Sequence, residues 1–574
     1  MYTETNIKYP KQKSKKWIFA GLILAFLIIT SALILLLNPF ASHEQQPYFS
    51  GEAPIIFNGA QVGNALKDKG IFYLPERILQ ENIDETIQYD EQTHSFIIVQ
   101  KTKVIQVPLD SKVYYGNGKA KEEKVEVVKV FQNERYINLD FISEMYGLDT
   151  SILPETDAIW LRENGEEITK GTVVDKDIDE TEARLRTEPS LLSPYTSSIS
   201  RNEPIYIEDE KDGYYYVRKS SGEAGYMQKP YVLKGQTKVV EIEEKEKEPE
   251  LPMIDGPIHL TWEAVYSKNP QTKSMPEMPG VNILSPTWFE LKDEQGQIKD
   301  LGSVEFAEWA KEEGYQLWGL FSNAFDPELT HAAFQSFETR QKIINQLISF
   351  SRKYQMEGIN IDIENVREED GPLVTQFVRE ASAYFHNEGL IVSMDITFIS
   401  SSGNWSAFYE REQLADIVDY LIVMAYDEHW GSSPVAGSVA SLPWVENNLQ
   451  RLLEVAPNEK LILGVPLYTR IWEETDAGEI SSKAVSMSKV KEWIEERELT
   501  PKYDASTGQN YAEYYSEDEE KLYKVWLEDE MSLNKRAEMA AEYDLAGVAS
   551  WSRYFADDTA WTALKLDDDE EGKQ

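Results

Sequence analysis

Between residues 257 and 566 the chain repeats one change of character. Short apolar runs, IHLTWEAV, GVNILSPTW, YQLWGLF, GINIDIEN, LIVSMDIT, YLIVMAYD, KLILGVPLY and GVASWSRYF, appear in turn. Between most of them lie stretches of helical spacing, such as 338–353, 373–387 and 444–456. Strands and helices alternating through eight runs predict a (β/α)8 TIM barrel, with parallel strands inside and helices outside. In such a barrel the loops after the strands carry the chemistry.

The fourth run is unusual for a barrel interior. Asn360, Asp362 and Glu364 alternate with Ile359, Ile361 and Ile363. Residues two apart on a strand share a face, so the polar three should point inward and the isoleucines toward the helices. Carboxylates inside an apolar barrel are costly unless paired or used. Glu364 lies nearest the mouth, where it would donate a proton, and Asp362 beside it would raise its pKa by like-charge repulsion. A purely structural polar ladder is the alternative reading of the same residues. Other run ends add Met424, Tyr426 and Asp427, then Trp551, and Trp262 with Glu263. Aromatic rings among acids suit sugars, whose apolar faces stack while their hydroxyls hydrogen-bond. His259, His331, His386 and His429 have no paired spacing, so neither a metal nor a cofactor is expected, and His429 faces either the cleft or a surface loop.

At 574 residues the chain is too long for one core. Its net charge of -43 argues against nucleic acid as a partner and against passive adhesion to an anionic wall or membrane surface. With no cysteine there are no disulfides and no thiolate zinc sites. Residues 17–37 are uncharged and almost wholly apolar, and Lys8, Lys11, Lys13, Lys15 and Lys16 precede or flank them. Such a run predicts a transmembrane anchor across roughly 30 Å of hydrocarbon. Residues 1–16 would be cytoplasmic and the C-terminal domains extracellular, a single-pass cell-membrane protein. A cleaved signal peptide is the competing reading, although its apolar core is usually only about 7–15 residues long. Residues 51–155 read as a β-rich module and 180–235 as a second β unit broken at Asp-Gly, Ser-Gly and Ala-Gly turns. Residues 239–256 read as a charged, solvated linker.

Resemblances sharpen these expectations. The 51–155 stretch loosely resembles the N-terminal domain of copper amine oxidases, with no copper chemistry implied. Residues 180–235 resemble a small SH3-like β-barrel through Leu185-Arg186, the Tyr214–Val217 run and Gly225-Tyr226; Tyr214, Tyr215 and Tyr216 either line a groove or fill a small core. Residues 257–566 resemble family 18 glycoside hydrolases, whose DxxDxDxE pattern falls on Glu357, Asn360, Asp362 and Glu364. The stretches SPVAGSVASLPWVENNLQ and KLILGVPLYTR resemble members found in spore and cell-wall proteins of Gram-positive bacteria.

The resemblance implies Glu364 as general acid/base and Asp362 as the residue orienting the substrate's 2-acetamido group. Tyr426 and Asp427 would hold that group, Trp551 would form the floor under the sugar, and Met424 would pack beneath. Trp262 and Asn360 would complete the substrate-binding set. Asn360 would hydrogen-bond Asp362 but could not take a proton. The implied reaction is retaining and substrate-assisted, without a protein nucleophile. Its partner would be peptidoglycan or a chitin-like polysaccharide containing N-acetylglucosamine. The alternative is a non-catalytic surface glycan binder, against which the retained Glu364 argues.

Overall fold

The computed structural model describes residues 15–37, 41–174, 178–242, 254 and 256–566. Two compact units emerge: Met1–Glu85 with Val125–Lys245, and Thr86–Lys124 with Glu246–Gln574. Each has its own apolar core.

In the second unit, eight parallel strands close on themselves. They are β1 (Ile258–Glu263), β2 (Ile283–Pro286), β3 (Gln316–Ser322), β4 (Gly358–Asp362), β5 (Ile391–Ile396), β6 (Tyr420–Met424), β7 (Leu461–Pro466) and β8 (Gly547–Trp551). Each pairs with the next, and β8 pairs with β1. Every expected run contains one of these strands. The cause is burial on both faces, which demands nearly continuous apolar sequence; β5 and β7 are buried from end to end. The two faces separate as the alternation requires. Leu260, Trp262, Leu320, Ile422 and Ile462 form the inner cluster, while Ile359, Ile361 and Ile363 join the outer cluster against the helices. The seam needs Gly547, because a Cβ there would lie 2.0 Å from the Ile258 carbonyl oxygen.

The helix Phe337–Tyr354 begins where the Ser336 hydroxyl accepts from the Thr339 N–H, and it ends at Gln355 in the left-handed conformation. Between it and the helix Gly371–Asn387, Arg340 and Glu380 form a buried ion pair at 2.7 Å. Gln341 and Gln376 also donate to Glu380, so the buried charges are paired and hydrogen-bonded.

Two additions ride on the barrel. Between β7 and β8 the chain forms a five-stranded antiparallel sheet, from Tyr468–Thr475 to Lys521–Trp526, with the helix Met487–Glu496. A five-stranded antiparallel meander, from Gln88–Asp90 to Lys119–Glu122, packs on the helix Gly371–Asn387. Its Ile97 and Val104 belong to the barrel's outer apolar cluster. The stretch expected as one β-rich module, 51–155, is thus shared between the two units.

The first unit contains two four-stranded sheets and a seven-stranded one. The strands expected to form a small SH3-like barrel over 180–235 belong to that larger sheet. Glu167–Val173 pairs with both Pro204–Lys211 and Val232–Val239, so the sheet starts earlier and ends later. Tyr214, Tyr215 and Tyr216 are half-buried; Tyr215 packs on this core and Tyr216 meets Tyr226 edge to face at 5.0 Å.

The expected anchor is corrected. A helix runs from Lys15 to Leu37, but no helix among the described residues is long and apolar enough to cross a membrane. The transmembrane segment at 17–37, the membrane as partner and the single-pass cell-membrane placement with extracellular domains are withdrawn with it. Residues 1–14, and residues 243–253 and 255 of the expected linker, lie outside the described residues.

Candidate active site

At the C-terminal end of β4 the chain leaves the barrel through Ile363 and Glu364. Asn323, just past β3, fixes this exit with both ends of its amide. Its Oδ1 accepts from the Glu364 N–H at 3.1 Å, and its Nδ2 donates to the Glu364 carbonyl at 2.8 Å. Asn323 is itself buried and donates to the Thr330 hydroxyl at 2.8 Å. Tyr409 donates to the Ile363 carbonyl at 2.8 Å. The backbone that carries Glu364 is therefore pinned on both sides, while its side chain is half-buried.

Burial pushes the Glu364 carboxyl well above the usual range, and Asp362 and then Asp427 add like-charge repulsion. A carboxyl so placed holds its proton to higher pH than an ordinary glutamate and is suited to act as an acid. Asp362 is raised in the same way, by burial first and then by Asp395. Only 8% of Asp362 is exposed, and its Oδ1 is buried with no hydrogen-bond partner.

Asn360 is wholly buried at the centre of a polar cross-brace. Its Oδ1 accepts from the Trp262 indole N–H at 2.9 Å and from the Ser285 hydroxyl at 3.1 Å. Its Nδ2 donates to Ser393 Oγ at 3.1 Å and to Asp395 Oδ1 at 2.8 Å. The expected bond from Asn360 to Asp362 is replaced by one to Asp395, because side chains two apart on one strand both point inward and Asn360 reaches across to β5. Trp262 is 1% exposed and meets Trp551 edge to face at 5.9 Å. Asn360 and Trp262 are thus supports beneath the cleft and leave no surface for a sugar.

Three elements complete the wall. After β6, Tyr426 is half-buried and Asp427 open to solvent in a left-handed backbone conformation, above a half-buried Met424. The first inserted strand sends Tyr468 and Arg470 to Asp427: the Tyr468 hydroxyl donates to its Oδ1 at 2.6 Å and Arg470 Nη2 at 3.1 Å. Burial and then Tyr468 hold the Tyr426 phenol well above its ordinary range, so it remains a neutral donor. From β8, Trp551 stands half-buried beside them. Glu263 is engaged elsewhere, in a forked ion pair with Arg553. His429 bonds the Ser438 carbonyl at 2.9 Å within its loop.

Asp395, Asn323, Tyr409, Tyr468 and Arg470 are the residues the sequence reading missed. Asp395 had a visible signal, since Ser393 and Asp395 repeat in β5 the two-residue polar spacing of β4.

The comparisons bear on this cleft. Residues 321–556 match the model of "Glycosyl hydrolases family 18", and residues 56–160 that of the "Copper amine oxidase N-terminal domain". The "Uncharacterized glycosylase YvbX" of Bacillus subtilis is 25% identical over 48% of this chain and 81% of its own length. The "Cortical fragment-lytic enzyme" of the same organism is 26% identical over 43% of this chain, which spans 57% of that relative. The crystal structure of the Bacillus megaterium spore cortex-lytic enzyme SleL is 20% identical, with a TM-score of 0.49 over 58% of this chain and 76% of its own. The match to the family 18 glycosyl hydrolase model runs from the end of β3 through β8, the part of the barrel that holds this cleft, and it supports glycosidase activity.

Proposed function

We propose that the barrel hydrolyses β-1,4 bonds after N-acetylglucosamine in peptidoglycan glycan strands, with retention and with the substrate's own acetamido group as nucleophile. The observation that carries this reading is the place of Glu364, just past the C-terminal end of β4, with its backbone pinned by Asn323 and its carboxyl raised by burial and by Asp362. Glu364 protonates the glycosidic oxygen. The acetamido oxygen attacks the anomeric carbon as the leaving group departs, giving an oxazolinium ion. Asp362 orients the acetamido N–H and stabilises its developing positive charge. The Tyr426 hydroxyl and Asp427 hold the same group, and Trp551 supports the ring from below. Glu364, now ionised, takes a proton from the water that opens the oxazolinium, which restores the resting state.

Peptidoglycan is favoured because relatives named for cortical fragment lysis and a sporulation-specific glycosylase stand among the matches. A second reading is hydrolysis of chitin or chito-oligosaccharides, favoured by the match to a rat di-N-acetylchitobiase at 25% identity. A non-catalytic binder would have little use for a buried proton donor.

The test incubates the full chain and its Glu364→Gln variant with purified peptidoglycan and with chitohexaose, and reads the reducing ends by mass spectrometry. Muropeptides ending in N-acetylglucosamine, formed only by the unsubstituted protein, are expected. Cleavage of chitohexaose alone would move the substrate to chitin. No cleavage of either glycan, with equal binding by both proteins, would overturn the enzymatic roles.

A further inference from the structure

The parallel register of β4 and β5 pairs Asn360 with Ser393 and Ile361 with Met394. One step further on, Asp362 and Asp395 stand level on neighbouring strands and share the inward face. Both are almost fully buried, at 8% and 2% exposed. Two carboxylates side by side in a dry interior cannot both ionise cheaply, and such a pair settles with one proton and one negative charge. The surroundings fix how they meet. Asn360 has committed its amide to Asp395 Oδ1, and the Trp262 ring N–H, besides meeting Asn360, favours the ionised form of Asp395. Asp362 Oδ1, by contrast, has no partner at all. A buried carboxyl oxygen without a partner has a cause to be found, and a proton shared with Asp395 is the one the register supplies.

Resting on the proposed acetamido-assisted reading, we propose that Asp395 is a positioning carboxylate that shares a single proton with Asp362. It performs across the β4/β5 pair the charge-sharing that Asn360, which cannot titrate, is unable to perform along β4. When positive charge develops on the acetamido group, the proton rests on Asp395 and Asp362 presents the anion. When the product leaves, the proton returns toward Asp362. No proton enters or leaves the pair, and no bond to substrate is made by Asp395. The other titratable groups facing the pair are Glu364 at the end of β4, Tyr426 and Asp427 after β6, and Tyr409 with Arg411 after β5. Asp427 adds negative charge at the mouth and opposes a second ionisation of the pair, and Glu364 joins it once it has given up its proton. Arg411 is engaged by the carbonyls of Thr397, Phe398 and Ser406. Tyr409 is committed to the Ile363 carbonyl.

The test uses the full chain and four variants: Asp395→Asn, Asn360→Asp/Asp395→Asn, and Glu364→Gln with and without Asp395→Asn. In Asp395→Asn, kcat should fall on the order of 10²-fold, the low end of what acid–base placement is worth, with KM little changed. The acid limb of its kcat–pH profile should move to higher pH, because the monoanion loses the partner that stabilised it. The double variant, which returns the partner carboxyl to β4 two residues before Asp362, should recover at least tenfold of the lost kcat and move the limb back. An unmoved limb in Asp395→Asn, or no recovery in the double variant, overturns the proposal. Infrared spectra in the Glu364→Gln background read the same pair without turnover. The carbonyl stretch of one protonated buried carboxyl should persist well above neutral pH, and it should be lost at lower pH once Asp395→Asn is added, because a lone Asp362 gives up its last proton without a charged neighbour. An unchanged band overturns the proposal even if Asp395→Asn folds poorly enough to obscure its kinetics. If the unsubstituted protein cleaves no glycan while the band is lost as expected, the failure belongs to the proposed function and the proton-sharing pair stands.

Discussion

Glu364 is held by its backbone and left free at its carboxyl. Asn323 takes its N–H and its carbonyl, so the position of the acid does not depend on a bond that would have to break during proton transfer. The cost is electrostatic. The folded state keeps the proton at pH values where the unfolded chain, with an ordinary glutamate near 4.5, has lost it. Across that window the folded protein binds more protons than the unfolded one, so stability falls as pH rises. Glu364→Gln removes the penalty. Its Tm should exceed that of the unsubstituted protein near neutral pH, and the difference should vanish as pH drops below about 4; calorimetry across the range reads this directly, and a Tm gain independent of pH would contradict it. At this scale the site was half legible. Asn360, Asp362 and Glu364 declare themselves because polar residues alternate with isoleucines in a strand that otherwise must be apolar. Asp395 carries the same spacing but stands as a lone acid in its run, and only the β4/β5 register reveals its neighbour. Asn323 and Tyr409 come from loops, where sequence pattern carries no direction for a side chain.

The elements repeat this division. All eight barrel strands were readable, since burial on both faces writes itself as unbroken apolar sequence. The inserted sheet between β7 and β8 was not. Its strands, such as ISSKAVS and KLYKVW, are half-exposed and studded with lysine, and they resemble loop as much as strand until they pair. That insertion matters chemically, for its first strand delivers Tyr468 and Arg470 to Asp427. The β8/β1 seam has no room for a Cβ at Gly547. Gly547→Ala would drive a methyl group into the Ile258 carbonyl, and the β8/β1 seam should separate at a cost of about 3 kcal/mol, the upper end for overpacking a tight interior. Chemical denaturation should show a lower midpoint and a loss of glycan cleavage, because Trp551 sits at the end of β8. An unchanged midpoint would mean that the seam yields more easily than its geometry indicates.

At the scale of the whole molecule, sequence order and spatial order part company. Residues 86–124 lie between segments of the first unit in the chain but fold with the barrel. Ile97 and Val104 look like ordinary alternating strand residues, and nothing in their spacing says that their partner is the helix Gly371–Asn387, more than 260 residues away. Val104→Asp should place an unpaired charge in that contact. Hydrogen exchange should then rise in 371–387 while the strands β1 and β8 keep their protection; unchanged exchange in the helix would show that the meander lends it no stability. The central claim remains the chemistry at the mouth of the barrel, with the substrate's acetamido group attacking while Glu364 supplies the proton. The most direct measurement is the anomeric configuration of the first product, followed by proton NMR from the start of cleavage of whichever glycan the protein cuts. Retention, seen as the β anomer appearing first and mutarotating to the equilibrium mixture, is the predicted result. An α anomer appearing first would require direct attack by water and would contradict the account.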